Sequence, residues 1–212
     1  MQTILTYLIL LLTGVLISFS GFSQTPYQKG MQKGLDLWIA EKPNEAVNLF
    51  ERIATAEPNE WLPSYYASYI TIIDCFGEKD EAKLKAQMEK ALQFMNDAKT
   101  INKEEVELLI LDALWHTVWV AHDGTIYGMK YGGKIDVMYQ QALVLEANNP
   151  RVILNKAEWD IGGAKFFGQP IEPYCNQIQK SIDLFKDYQP RKEFYPSGGI
   201  ERAKNSLKEN CN

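Results

Sequence analysis

The run Gly128-Met129-Lys130-Tyr131-Gly132-Gly133-Lys134 has the glycine and lysine spacing of a phosphate-binding loop. Such a loop uses its glycines so that backbone N–H groups cradle phosphate, and its lysine to reach the outer oxygens. Ile135 stands where Ser or Thr would hold Mg²⁺, and a helical pattern, not a strand, precedes Asp123. The run therefore reads as a Gly-rich loop between helices whose glycines take positive φ. His116 and His122 are the only histidines and, six residues apart, do not share a helix face. His116, inside Leu114-Trp115-His116-Thr117-Val118-Trp119, reads as packed between helices. His122-Asp123 has the composition of an acid/base pair, but the position of a helix C-terminus, where imidazole meets the last carbonyls. Glu104, Glu105 and Glu107 open a helix, where the dipole favours negative charge, and read as a solvated start. There is no H-E-x-x-H, no C-x-x-C and no nucleophile motif, so the sequence calls for no metal, no cofactor and no catalysis.

Aromatic residues are the richer signal. Trp61, Tyr65, Tyr66 and Tyr69 share one helical stretch; Trp115 and Trp119 share the face of another; Trp159, Phe166 and Phe167 lie near a third. Most must be core, yet Tyr and Trp also dominate binding hot spots. Three cysteines, Cys75, Cys175 and Cys211, allow at most one internal bridge.

The elements that position these residues are helices. Apolar periodicity recurs over residues 27–56 (broken at Pro43), 61–76, 78–100, 103–121, 133–146, 151–165 and 172–187, with a last helix starting near Ser197 and running to about Glu209. Four sets of markers repeat: Ala46, Phe50, Ile53 and Pro58; Ala91, Met95, Ala98 and Lys103; Ile135, Tyr139, Ala142 and Ala147; Ile178, Ile182, Phe185 and Pro190. Each set steps by four, three and five residues, and the sets begin 45, 44 and 43 residues apart. Small residues Gly34, Ser68, Ala113 and Ala157 fall where the preceding helix would approach closely. The expectation is an all-α solenoid of about four helix pairs over residues 27–212, closed by a polar C-terminal capping helix, because one pair cannot bury its apolar face alone.

This pattern resembles the tetratricopeptide (TPR) repeat, best in the first pair, with Gly34, Ala46, Phe50 and Pro58. The period near 44 and the replacement of two closing prolines by Lys103 and Ala147 leave HEAT-like pairs open for the later repeats. The whole chain is similar to small exported bacterial proteins with such repeats. By the TPR resemblance, the first helix of each pair lines a concave groove, which makes Met31, Trp38, Tyr65, Tyr69, Ile110, Leu114 and Thr117 its candidates. The function implied is a non-catalytic interaction module that holds a protein segment there. The alternative is a glycan or small-ligand binder that uses exposed aromatics and three loops on one edge, residues 76–80, 123–133 and 162–173. An antiparallel return of the last helix would bring Cys211 to Cys175, leaving Cys75 as a buried thiol.

Composition sets the partners. A net charge of −5 speaks against nucleic acid, which needs clustered Lys and Arg. The first 28 residues carry no charged side chain, and residues 4–19 form an apolar run ahead of Gly21-Phe22-Ser23. This reads as a signal peptide over residues 1–23 that sends the chain to the periplasm or outside the cell. An uncleaved inner-membrane anchor over residues 4–22 is the other reading, and the one route to a membrane.

Overall fold

The computed structural model describes residues 24–211. The apolar N-terminal run and its cleavage site lie outside the described residues. Nine helices form there, with no strand among the described residues: α1 (Pro26–Ile39), α2 (Pro43–Ala56), α3 (Trp61–Asp74), α4 (Glu81–Ile101), α5 (Val106–His122), α6 (Gly124–Leu145), α7 (Pro150–Phe167), α8 (Glu172–Phe185) and α9 (Ile200–Cys211).

Helix starts follow local chemistry. Thr25 and Gln28 form a reciprocal capping box on α1; Asp80, Asp123 and Asn149 accept N–H bonds at the starts of α4, α6 and α7. Gly77, at φ 88°, turns the chain after α3. Helices α1–α2, α3–α4, α5–α6 and α7–α8 pack as antiparallel pairs, and α9 closes the last one. The repeat markers are the glue. The first three markers of every set are buried, and so are Gly34, Ser68, Ala113 and Ala157, whereas the fourth position of each set, which closes the repeat, is not in the core. A Cβ on Gly34 would meet the Phe50 ring at 2.5 Å, and Ser68 Oγ donates to Ala91 O at 2.8 Å. The architecture is thus an all-α, TPR-like helical repeat of four pairs and a cap.

One continuous core runs from Met31 to Val152; a second, built on Leu154, Ala157, Ile161, Ile178, Ile182, Phe185 and Ala203, unites α7, α8 and α9. Cys175 in the first turn of α8 is bonded to Cys211 at the end of α9, with Cα atoms 5.8 Å apart. Cys75 is a buried free thiol, and burial pushes it up to about 11.

Three expectations are corrected. Residues 124–145 form one uninterrupted helix, so the Gly-rich run is not a loop, and Gly128, Gly132 and Gly133 have no positive φ. The Asp123 cap starts this helix directly after α5 and leaves no loop to cradle a phosphate. Glu105 and Glu107 are not solvated: both are buried by groups from distant parts of the chain. The last helix begins at Ile200, three residues later than Ser197 suggested, because residues 186–199 travel elsewhere.

Candidate functional site

Residues 186–199 form a strap across the N-terminal ends of the odd-numbered helices. Glu193 accepts from Gln28 at 2.7 Å, Lys192 reaches Glu60 at 3.3 Å, and the Phe194 carbonyl accepts from Tyr66 Oη at 2.8 Å. Tyr195 packs edge-on to Trp61 and donates to Glu105 at 2.5 Å, while Arg191 pairs with Glu146. Beneath the strap lies a buried polar network. Arg151 Nε donates to Glu107 Oε1 at 2.8 Å and its Nη2 to Tyr65 Oη at 3.2 Å; Tyr65 Oη donates to Glu107 Oε2 at 3.1 Å; Arg151 Nη1 donates to the Gly198 carbonyl. Burial alone would favour a neutral Arg151, but the Glu107 charge outweighs it and holds the guanidinium firmly protonated. Burial and the same carboxylate push Tyr65 up.

This placement decides what the groove candidates can do. Met31, Tyr65, Ile110 and Leu114 are buried in packing and present no surface. Trp38 and Tyr69 remain partly exposed, edge to face at 5.5 Å, and so does Thr117, whose hydroxyl bonds back to the Ala113 carbonyl at 2.8 Å. The strap covers the N-terminal ends of these helices and leaves Trp38, Tyr69 and Thr117 outside its contacts. Neither Arg151 nor the strap stood out in the sequence. The signal that could have found Arg151 is a lone cation inside the apolar start Pro150-Arg151-Val152-Ile153-Leu154, since a buried charge needs a partner.

The opposite edge mixes charged corner residues with exposed apolar side chains. It carries the corners within the pairs: residues 40–42, 75–80, Asp123 and 168–171. His122 Nδ1 lies 3.2 Å from the Glu78 carbonyl and joins the second corner to the third. The Phe166 ring stands 3.2 Å from where a Cβ on Gly124 would be and joins the third to the fourth. On α6 Ile126 is 61% exposed and Met129 90%; at the end of α7 Phe166 is 61% and Phe167 72% exposed. Phe166 and Phe167 meet edge to face at 5.1 Å, and Phe76 adds a part-exposed ring from the second corner. Helices α6 and α7 touch far less than the helices within a pair. A Cβ on Gly128, Gly133, Gly162 or Gly163 would meet nothing within 4 Å, so these glycines border open space, while Gly132 faces the Trp159 ring. Along α6 the Tyr127 and Tyr131 rings stack at 5.9 Å, with Lys130 over both and Lys134 over Tyr131. Trp119 packs on Tyr127, its buried Nε1–H without an acceptor.

No protein-family model and no curated protein matches the chain. In structure it is similar to the HusA haemophore from Porphyromonas gingivalis: TM-score 0.77 at 20% identity, over 88% of this chain and 94% of that one. A weaker likeness, TM-score 0.40 at 15% identity, covers 87% of this chain and 98% of a thermophilic TPR protein from Thermus thermophilus. At these identities the first likeness is one of fold.

The chemistry available at the edge is recognition. Exposed rings and a Met offer dispersion and stacking, and Lys130 and Lys134 offer charge to an anionic rim. Among the described residues, no group of three His, Cys, Asp or Glu side chains converges on a metal position, and no helix is long and apolar enough to cross a membrane. Of the three loops expected on this edge, residues 76–80 and 168–171 are present, while 124–133 is helical. A cleft of about 270 Å³ with a mixed lining lies between α6, α7 and α8, where Lys156 bonds Asp160 at 2.5 Å beside Tyr174. Burial pushes Asp160 up, against the pull of Lys156.

Proposed function

We propose that the chain is an exported, non-catalytic binding protein that takes a flat apolar ligand of the porphyrin class on the α5–α6/α7–α8 edge. The observation that carries this reading is the exposed Phe166–Phe167 pair at the end of α7, set against the start of α6, a helix that exposes Ile126 and Met129 as well. Monomeric proteins keep large apolar side chains together on the surface mainly where something binds them. A porphyrin ring stacks on such side chains, and its two carboxylates suit Lys130 and Lys134, both exposed on α6. The similarity in fold to a haemophore supports the same ligand class. Export rests on the charge-free N-terminal segment and its small-residue cleavage site, and an intact mass beginning at Gln24 tests it.

Titration of the purified chain with protoporphyrin IX tests the ligand. The expected result is a saturable shift of the Soret band at one equivalent, with F166A/F167A weakening it by about tenfold or more, since a buried Phe contributes about 1.5–3 kcal/mol. Absence of saturable binding, or equal binding by the double variant, refutes the reading. The second reading is a protein segment in the part of the groove the strap leaves free; the uncovered Trp38–Tyr69 pair and Thr117 favour it. Loss of a co-purifying protein in W38A/Y69A would select it.

A further inference from the structure

We infer that His122 supplies the iron ligand when the porphyrin carries iron, an assignment that rests on the ligand class proposed above. His122 is the last residue of α5, one position before the corner and two before Gly124, over which Phe166 stands. It is partly exposed, between the corner that carries Phe76, which it joins through Glu78, and Gly124, against which Phe166 stands. Its Nδ1 faces the Glu78 carbonyl at 3.2 Å. A carbonyl only accepts, so Nδ1 donates, and Nε2 is the nitrogen whose lone pair is left for a metal. An imidazole fixed this way by a backbone carbonyl is the arrangement proteins use to orient and strengthen a metal-binding histidine.

The orienting carbonyl is itself held firmly. The Glu78 amide donates to the Cys75 carbonyl at 3.2 Å. Its carboxylate accepts from the amides of Lys79 and Asp80 at 2.9 and 3.0 Å and from Lys83 Nζ at 2.5 Å. The loop thus reads as a brace for the ring. The other histidine cannot serve: His116 is buried, with Nδ1 2.8 Å from the Asp112 carbonyl and its ring 4.8 Å from Tyr131. Ligation forms one coordinate bond by donating the Nε2 pair to iron. The Nδ1 proton stays in place and no electron leaves the metal.

The test compares hemin with metal-free protoporphyrin IX on the purified chain and on His122→Ala. Wild type is expected to show the spectrum of histidine-ligated ferric haem. H122A should lose that spectrum and bind hemin at least about tenfold more weakly, while its protoporphyrin affinity is unchanged and added imidazole restores the spectrum. An unchanged hemin spectrum in H122A overturns the inference. So does equal loss of both ligands, which would mean that the ring braces the corner and not the iron. If wild type binds protoporphyrin but shows no histidine signature with hemin, the inference alone falls. If it binds neither, the ligand class falls with it.

Discussion

Replacing Arg151 with Met isolates the network under the strap. Glu107 is fully buried, and its two oxygens have Arg151 Nε at 2.8 Å and Tyr65 Oη at 3.1 Å as partners. Met fills a similar volume but leaves the carboxylate with one neutral donor and no opposite charge. Breaking a buried pair in this way costs about 3–5 kcal/mol. For a chain of this size each kcal/mol lowers Tm by about 2–4 °C, so R151M should melt about 6–20 °C below wild type. The Gly198 carbonyl also loses its donor, so amide exchange in residues 194–199 should quicken. Thermal melts by circular dichroism read the first effect and hydrogen exchange the second. The double variant E107M/R151M decides the cause: replacing both charges with apolar side chains should recover most of the loss, because the penalty belongs to the unpaired charge and not to the absent bond. An R151M variant that melts within about 2 °C of wild type, or a double variant no better than the single, refutes this account.

Gly34→Ala should destabilise by about 1–3 kcal/mol by urea unfolding, because the new Cβ meets a fully buried Phe50 ring that has nowhere to turn; an unchanged midpoint would place the two helices further apart. Ala98→Glu should be far worse, since Ala98 is fully buried, and a wild-type Tm would show the repeat register to be wrong. At pH 8 a thiol reagent should find nothing in the native chain, because Cys75 is buried with its thiol near 11, and one equivalent after unfolding without reductant; three equivalents would exclude the Cys175–Cys211 bridge. Glu78 is held down to about 2 by the Lys83 ammonium and the Asp80 amide, so what it adds to the loop is present above about 4.5 and fades as pH falls toward 2; an NMR titration midpoint near 4.5 would contradict the brace.

The helical pairs were legible because helix pairing is local. A marker set such as Ala46, Phe50 and Ile53 lies within three turns of one helix, and its burial follows from periodicity alone, as does that of Gly34 opposite Phe50. The return of Cys211 to Cys175 was readable for a similar reason, since it joins neighbouring helices. The Gly-rich run misled because glycine weighs against helix only by about 1 kcal/mol per residue, an amount that the packing of Tyr131, Ile135 and Tyr139 overrides. Of the groove candidates, the sequence could not tell Met31, Tyr65, Ile110 and Leu114, which packing buries, from Trp38, Tyr69 and Thr117, which stay partly exposed. Tyr65, Glu107, Arg151 and Gly198 meet across separations of up to 86 residues, as in the Arg151–Tyr65 bond, and no spacing rule connects such positions. The open edge is of the same kind. Phe166 and Phe167 look in sequence like any aromatic helix end, and only the stacking of α7 against α6 leaves them in solvent. The sequence by itself determined which residues form helices and which face each helix buries, because those depend on neighbours three and four positions away. The tertiary structure decided which side chains remained exposed, because that depends on where a distant strap and a loosely packed seam come to rest.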